Sequence, residues 1–165
     1  MEYTEILINI RKILRSLNLE SKKIQKEQGV SIPQLMCLDY LGSRENFRST
    51  QIELARFLNL NSSTMSGIVT RLEAKGFVAR LPNPSDKRTV YISLTANGAK
   101  LLEASPQLLH KRLSKKLENL PMDQVQEINN ALKILIECFE IQAIPASPII
   151  TLEDPIFLST GEKTE

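Results

Sequence analysis

Residues 50–98 read TQIELARFLNLNSSTMSGIVTRLEAKGFVARLPNPSDKRTVYISLTANG, and this stretch decides the fold. Thr50 and Glu53, hydroxyl and carboxylate three apart, form a capping box that opens a helix carrying Leu54, Ala55 and Leu58. Asn59-Leu60-Asn61 breaks that helix after about two turns. Asn61 or Ser62 caps the next one, expected over 62–75, where Met65, Ile68, Val69 and Leu72 form an i, i+3, i+4, i+7 stripe and Gly76 stops it. The period then switches. Phe77–Leu81 is strand-like, and Thr89–Leu94 alternates Val90, Ile92 and Leu94 with Thr89, Tyr91 and Ser93. Between them Pro82-Asn83-Pro84-Ser85-Asp86-Lys87-Arg88 reads as a polar loop, so the pair makes a β-hairpin with a basic tip.

Outward from this stretch the chain is helical. Ile6, Ile10, Ile13, Leu14 and Leu17 mark an amphipathic helix over 3–27, ended by Gly29. Ser31 caps a short helix with Pro33 in its first turn and Leu35, Leu38 and Leu41 inside, closed by Gly42. Thr95 caps a long helical region carrying Leu101, Leu102, Leu108, Leu109, Leu113 and Leu117, which Pro106 should kink or divide. Pro121 starts a last helix with Val125, Ile128, Leu132, Leu135 and Phe139 on one stripe. From Ile144 three prolines and short apolar clusters suggest an arm, docked on the body or on a second subunit. The expected class is mainly α with a small β-hairpin wing: a winged helix-turn-helix over 31–98, dimerisation helices at 1–29 and 99–143, and an arm over 144–165.

Composition narrows the function. With 165 residues, 42% hydrophobic, the chain can bury a core, and no apolar run is long enough for a membrane span. Acids and Asn9 near the start argue against a secretory leader, so the expected location is cytoplasmic. The formal charge of +2 hides a segregation: residues 43–95 carry 8 basic and 4 acidic side chains, whereas 96–165 carry 7 and 10. A single histidine, His110, and two distant cysteines, Cys37 and Cys138, argue against a Cys/His metal site, and both thiols are expected to be buried. No phosphate loop, dinucleotide fingerprint or nucleophile motif is present, so neither a cofactor nor an enzyme is expected.

The helix at 62–75 carries the functional signal. Away from its stripe it shows Ser62, Ser63, Thr64, Ser66, Gly67, Thr70 and Arg71, which are short or hydrogen-bonding and not acidic. Solvated helix faces favour Glu and Lys instead. A face of this kind suits the floor of a DNA major groove. Thr50 and Gln51 at the start of the preceding helix join the DNA-facing set. Lys87 and Arg88 add charge at the wing, where a long Arg can enter the minor groove, and Asp86 shapes the loop by pairing with an arginine.

Residues 50–98 resemble the core of the MarR-type (multiple antibiotic resistance regulator) transcriptional regulators. The resemblance lies in Leu54-Ala55, Ser63-Thr64, Arg71-Leu72-Glu73, Lys75-Gly76, Asp86-Lys87-Arg88 and Leu94-Thr95-x-x-Gly98, in order and spacing. It implies a homodimer, read as a repressor, with major-groove contacts from Ser62 to Arg71 and a minor-groove contact from Arg88; two-fold symmetry of the dimer then predicts a pseudo-palindromic operator. The resemblance also implies a crevice for a small-molecule effector, with Arg15, Met36, Cys37, Tyr40, Leu109 and His110 as candidates. IPQL (32–35), SGIVTRLEAKG (66–76) and ASPI (146–149) resemble a branch controlling ectoine-type osmolyte genes. Two other readings compete: a helical dimeric interaction protein without DNA, and a thiol-based redox sensor using Cys37.

Overall fold

Ser31 sets the first fixed point of the fold. Its Oγ accepts from Gln34 N and its own N–H donates to Gln34 Oε1 (3.0 Å), a reciprocal cap that starts α2 (Ile32–Gly42). The computed structural model that contains it describes residues 3–83 and 86–144, with backbone alone at 86–88. The side chains expected at the wing tip, Asp86, Lys87 and Arg88, and all but the first residue of the expected arm lie outside this description. Ahead of α2 runs α1 (Tyr3–Gln28), followed by Gly29 at φ +67°. After α2 come β1 (Arg48–Thr50), α3 (Gln51–Leu58), α4 (Ser62–Ala74), β2 (Val78–Asn83) and β3 (Asp86–Leu94). Then follow α5 (Ala96–Ala104), α6 (Leu109–Leu117) and α7 (Met122–Cys138).

The core forms where the expected stripes meet. Ile32, Leu35, Cys37, Leu38 and Leu41 of α2, Leu54 and Leu58 of α3, and Met65, Ile68, Val69 and Leu72 of α4 are all buried, closed by Val78 and Ile92 of the sheet. Each such side chain contributes about 1.5–3 kcal/mol on burial, so this helical trio dominates the stability of the region. The antiparallel sheet has the order β1-β3-β2, with Ser49 opposite Ile92 and Arg80 opposite the same residue from the other side.

Three features depart from the sequence expectation. The three-residue β1 was not foreseen. The hairpin loop is shorter than read: Pro82 pairs with Val90 and Asn83 with Asp86, across a register shift at Pro82/Asn83. A proline is tolerated there because β2 is an edge strand, whose outer N–H groups have no ladder partner to lose. Cys138, expected to be buried, is exposed, and Cys37 is the buried thiol.

Pro106 divides the long helical region as expected. Ser105 is extended at the end of α5, and α6 begins at Leu109. Residues to Pro106 form one compact unit and those from Gln107 a second. In the second unit neither α6 nor α7 contains a buried residue, and Ile128, Leu132, Ile134, Ile136 and Phe139 are all exposed. Along α1 only Leu17, Ser21 and Ile24 are buried, while Ile6, Leu7, Ile13 and Leu14 stand open. Among the described residues no helix is long and apolar enough to cross a membrane.

Candidate nucleic-acid interface

The two helices of the turn are tied at both ends. Thr50 caps α3: its Oγ1 accepts from Glu53 N (3.2 Å), and Thr50 N donates to Glu53 Oε2 (2.9 Å). Ser49 Oγ donates to the same carboxylate oxygen at 2.6 Å. These hydrogen bonds, the Ser49 one first, hold the Glu53 carboxyl below its ordinary range. Asn59 closes α3 at φ +51°, a left-handed position that asparagine accepts readily. Asn61 then caps α4 through Thr64 N→Oδ1 at 2.7 Å. Gln51 Nε2 donates to Ser62 O (3.3 Å), joining the start of α3 directly to the start of α4.

At the far end of α4 the wing is stitched on. Gly76 stands at φ +73°, and its carbonyl accepts from Thr95 Oγ1 at 2.7 Å. That hydroxyl also accepts from Gly98 N (3.1 Å), capping α5. A Cβ at Gly98 would run into the Phe77 carbonyl, which explains why a glycine follows Leu94-Thr95 at that spacing. From β2, Arg80 reaches back to α4. It pairs with Glu73 and donates from Nη2 to Thr70 Oγ1 (3.2 Å). Lys75, just past α4, donates to the Gly29 carbonyl.

The outer face of α4 is therefore rigidly presented. Ser62, Ser63, Thr70 and Arg71 are exposed, and Ser66 and Gly67 are half-buried. The Arg71 guanidinium lies beside the Gly67 Cα, 3.7 Å from where a Cβ would stand, so the glycine lets the arginine lie along the helix. Thr64 corrects the expectation. It is 8% exposed and turned inward with Met65 and Ile68, not outward with Ser63. The spacing holds the reason, since Thr64 lies four residues before Ile68 on the stripe side. Thr50 and Gln51 sit at the start of α3, with the Thr50 hydroxyl engaged in its cap.

Arg80 was missed, because a single arginine in a strand carries no local signal. Two further arginines escaped notice for the same reason. Arg48 lies over the Tyr91 ring (4.7 Å) and Arg44 over Tyr40 (5.2 Å). With Ser43, Asn46 and Glu53 they line a polar recess of about 460 Å³ beside the start of α3.

The effector candidates do not converge within the first unit. Arg15 lies in a shallow groove of α1 with Ile8, Arg11 and Leu14. Tyr40 stacks on Phe57, ring centroids 4.3 Å apart. Met36 and Cys37 are core residues, and Leu109 and His110 lie on α6 in the second unit. Cys37 Sγ sits 3.7 Å from Met65 Sδ, and burial pushes its thiol up to about 12. A peroxide-sensing thiolate needs the opposite shift, so the redox reading of Cys37 has no support here. Among the described residues no group of His, Cys, Asp and Glu could hold a metal ion.

Comparison with known proteins agrees with this geometry. The family model described as MarR family matches residues 30–90, the span from the start of α2 into β3. The multiple antibiotic resistance protein MarR of Escherichia coli K12 is 39% identical over 85 residues, which cover 51% of this chain and 59% of that protein. The Bacillus subtilis HTH-type transcriptional regulator YfiV is 29% identical over 139 residues, or 84% of this chain and 86% of YfiV. Two solved structures share the fold. Sco3205 from Streptomyces coelicolor, in complex with DNA, has a TM-score of 0.60 at 23% identity over 87% of this chain and 92% of its own. The S. aureus MepR–DNA complex gives 0.59 at 21% identity over 84% and 98%. The winged helix-turn-helix is thus built on residues similar to the MarR family, and the relatives that match it are transcriptional regulators.

Proposed function

We propose that this chain is a sequence-specific DNA-binding transcriptional regulator, a homodimeric cytoplasmic repressor of a pseudo-palindromic operator that a small-molecule or environmental signal releases. The observation that carries it is the outer face of α4, where Ser62, Ser63, Ser66, Thr70 and Arg71 form an acid-free polar surface fixed at both ends by caps and by the wing. Small hydrogen-bonding side chains allow close approach to base edges and phosphates, and the start of α3 adds Gln51. Lys87 and Arg88 at the wing supply phosphate and minor-groove contacts, with Asp86 shaping the turn.

The dimer is supported by what the chain leaves open. Exposed stripes on α1 and α7 amount to half a core, the usual state of an obligate interface seen in one copy. Two-fold symmetry would set two α4 helices about one turn of DNA apart. For the effector, Arg15 is exposed and Tyr40 half-buried, as are Leu109 and His110 on the second unit. A DNA-free interaction protein would need the helices but not the Ser/Thr face or the basic hairpin.

Selection of bound fragments from the source genome tests this reading, and their neighbouring genes would name the pathway, osmolyte genes included. Ser66→Glu places a carboxylate in the middle of the face. Operator binding is expected to vanish in a gel shift while the dimer persists. Loss of the dimer, or unchanged binding, would contradict the assigned face.

A further inference from the structure

We infer that Arg80 is a positioning residue that fixes Thr70 as a hydrogen-bond donor toward DNA, so that α4 reads an acceptor at this position; this rests on the DNA-binding reading above. The guanidinium forks between two residues of α4 that stand three apart. One nitrogen pairs with the Glu73 carboxylate, and Nη2 donates to Thr70 Oγ1 at 3.2 Å. A guanidinium has no acceptor, so the Thr70 oxygen accepts from it and the hydroxyl proton must point elsewhere. A threonine in a helix commonly turns that proton back to the carbonyl four residues earlier. Among the described residues Thr70 Oγ1 makes no such bond, and the side chain is exposed on the proposed DNA face.

Unrestrained Ser and Thr hydroxyls pair with either kind of base edge. Here the cation beside the oxygen disfavours approach of a second N–H and polarises the hydroxyl as a donor. The favoured targets are therefore acceptors: purine N7, guanine O6, thymine O4 or a phosphate oxygen. The exposed amino groups of adenine and cytosine are disfavoured. Glu73 neutralises the Arg80 charge, which makes Arg80 a support for Thr70 and not a phosphate contact of its own.

The test uses the full chain and a genomic fragment that it retains, with binding measured across a salt series and thermal melts confirming each fold. Thr70→Val is expected to weaken binding about five- to tenfold, the size of one lost hydrogen bond. Thr70→Ser should restore it. Arg80→Ala should weaken binding to a similar degree with the salt slope unchanged, and the double variant should be no worse than either single one. A loss confined to one base pair per half-site assigns the acceptor to a base edge, and a loss uniform over operator variants assigns it to a phosphate. Three results would overturn the inference: wild-type affinity in Thr70→Val, losses that multiply in the double variant, or a salt slope lowered by about one in Arg80→Ala, the mark of a direct phosphate contact. Failure of the wild type to retain any fragment would instead bring down the DNA-binding reading itself.

Discussion

The reading head and the terminal helices use the same apolar vocabulary to opposite ends. In α2, α3 and α4 every stripe leucine and isoleucine finds partners within the chain: Leu38, Leu41, Leu54, Leu58 and Leu72 are fully buried. In α7 an equally regular stripe buries none of its members, and Leu132 stays 51% exposed. Monomeric soluble proteins seldom leave a continuous apolar helix face open. The difference teaches that the head is a finished core and the terminal helices are an unfinished one. The head explains how DNA would be read, and the open stripes explain why the chain would act in pairs.

The comparison breaks most visibly at α7. The double variant Leu132→Lys, Ile136→Lys changes two exposed positions one turn apart, so it should leave each chain folded but separate the pair. Losing the second head would lower operator affinity by at least about a hundredfold, the usual scale of bivalent gain. Sedimentation of the variant as a pair with full DNA binding would show that α7 is a surface and not half a core. In the head, Leu54→Ala opens a cavity among α2, α3 and α4 and should cost about 2–5 kcal/mol in denaturant unfolding, whereas Leu132→Ala should cost the isolated chain much less.

Cys37 sharpens the same contrast through pH. Its thiol pKa is about 12 in the fold against an ordinary 9.0, so the folded chain keeps a proton that the unfolded chain gives up. Stability from this site is complete below pH 9.0 and falls as pH rises toward about 12. Between pH 8 and pH 10 the wild type should lose about 1 kcal/mol more than Cys37→Ala, as measured by urea unfolding at each pH. Exposed Cys138 should react with a thiol reagent in the native protein while Cys37 waits for denaturation. The smallest effect expected is at the α3 cap. Thr50→Ala removes one side of the capping box and should cost about 1 kcal/mol by thermal unfolding. The Glu53 half, with its lowered pKa, holds above the ordinary carboxylate range and fades as acid protonates it.

What was legible in the sequence was local. Caps at Ser31, Thr50, Asn61 and Thr95, the stops at Gly29 and Gly76 and the division at Pro106 each depend on neighbours a few residues away. What was hidden depended on distant partners. β1 is Arg-Ser-Thr and becomes a strand only because β3 lies beside it. Pro82-Asn83 looks like a turn, and only its edge position lets it extend the hairpin. Arg80 acquires its role from Thr70 and Glu73, ten and seven residues away in another element. Thr64 is the exception: its spacing from Ile68 placed it on the core side, and its polarity masked that signal.

The finished head and the unfinished helices make one joint claim, which the mass of the protein–DNA complex tests most directly. Sedimentation equilibrium of the full chain with a retained genomic fragment should give two chains per duplex at protein concentrations where free protein is also a pair. One chain per duplex, or no complex with any genomic fragment, would contradict it.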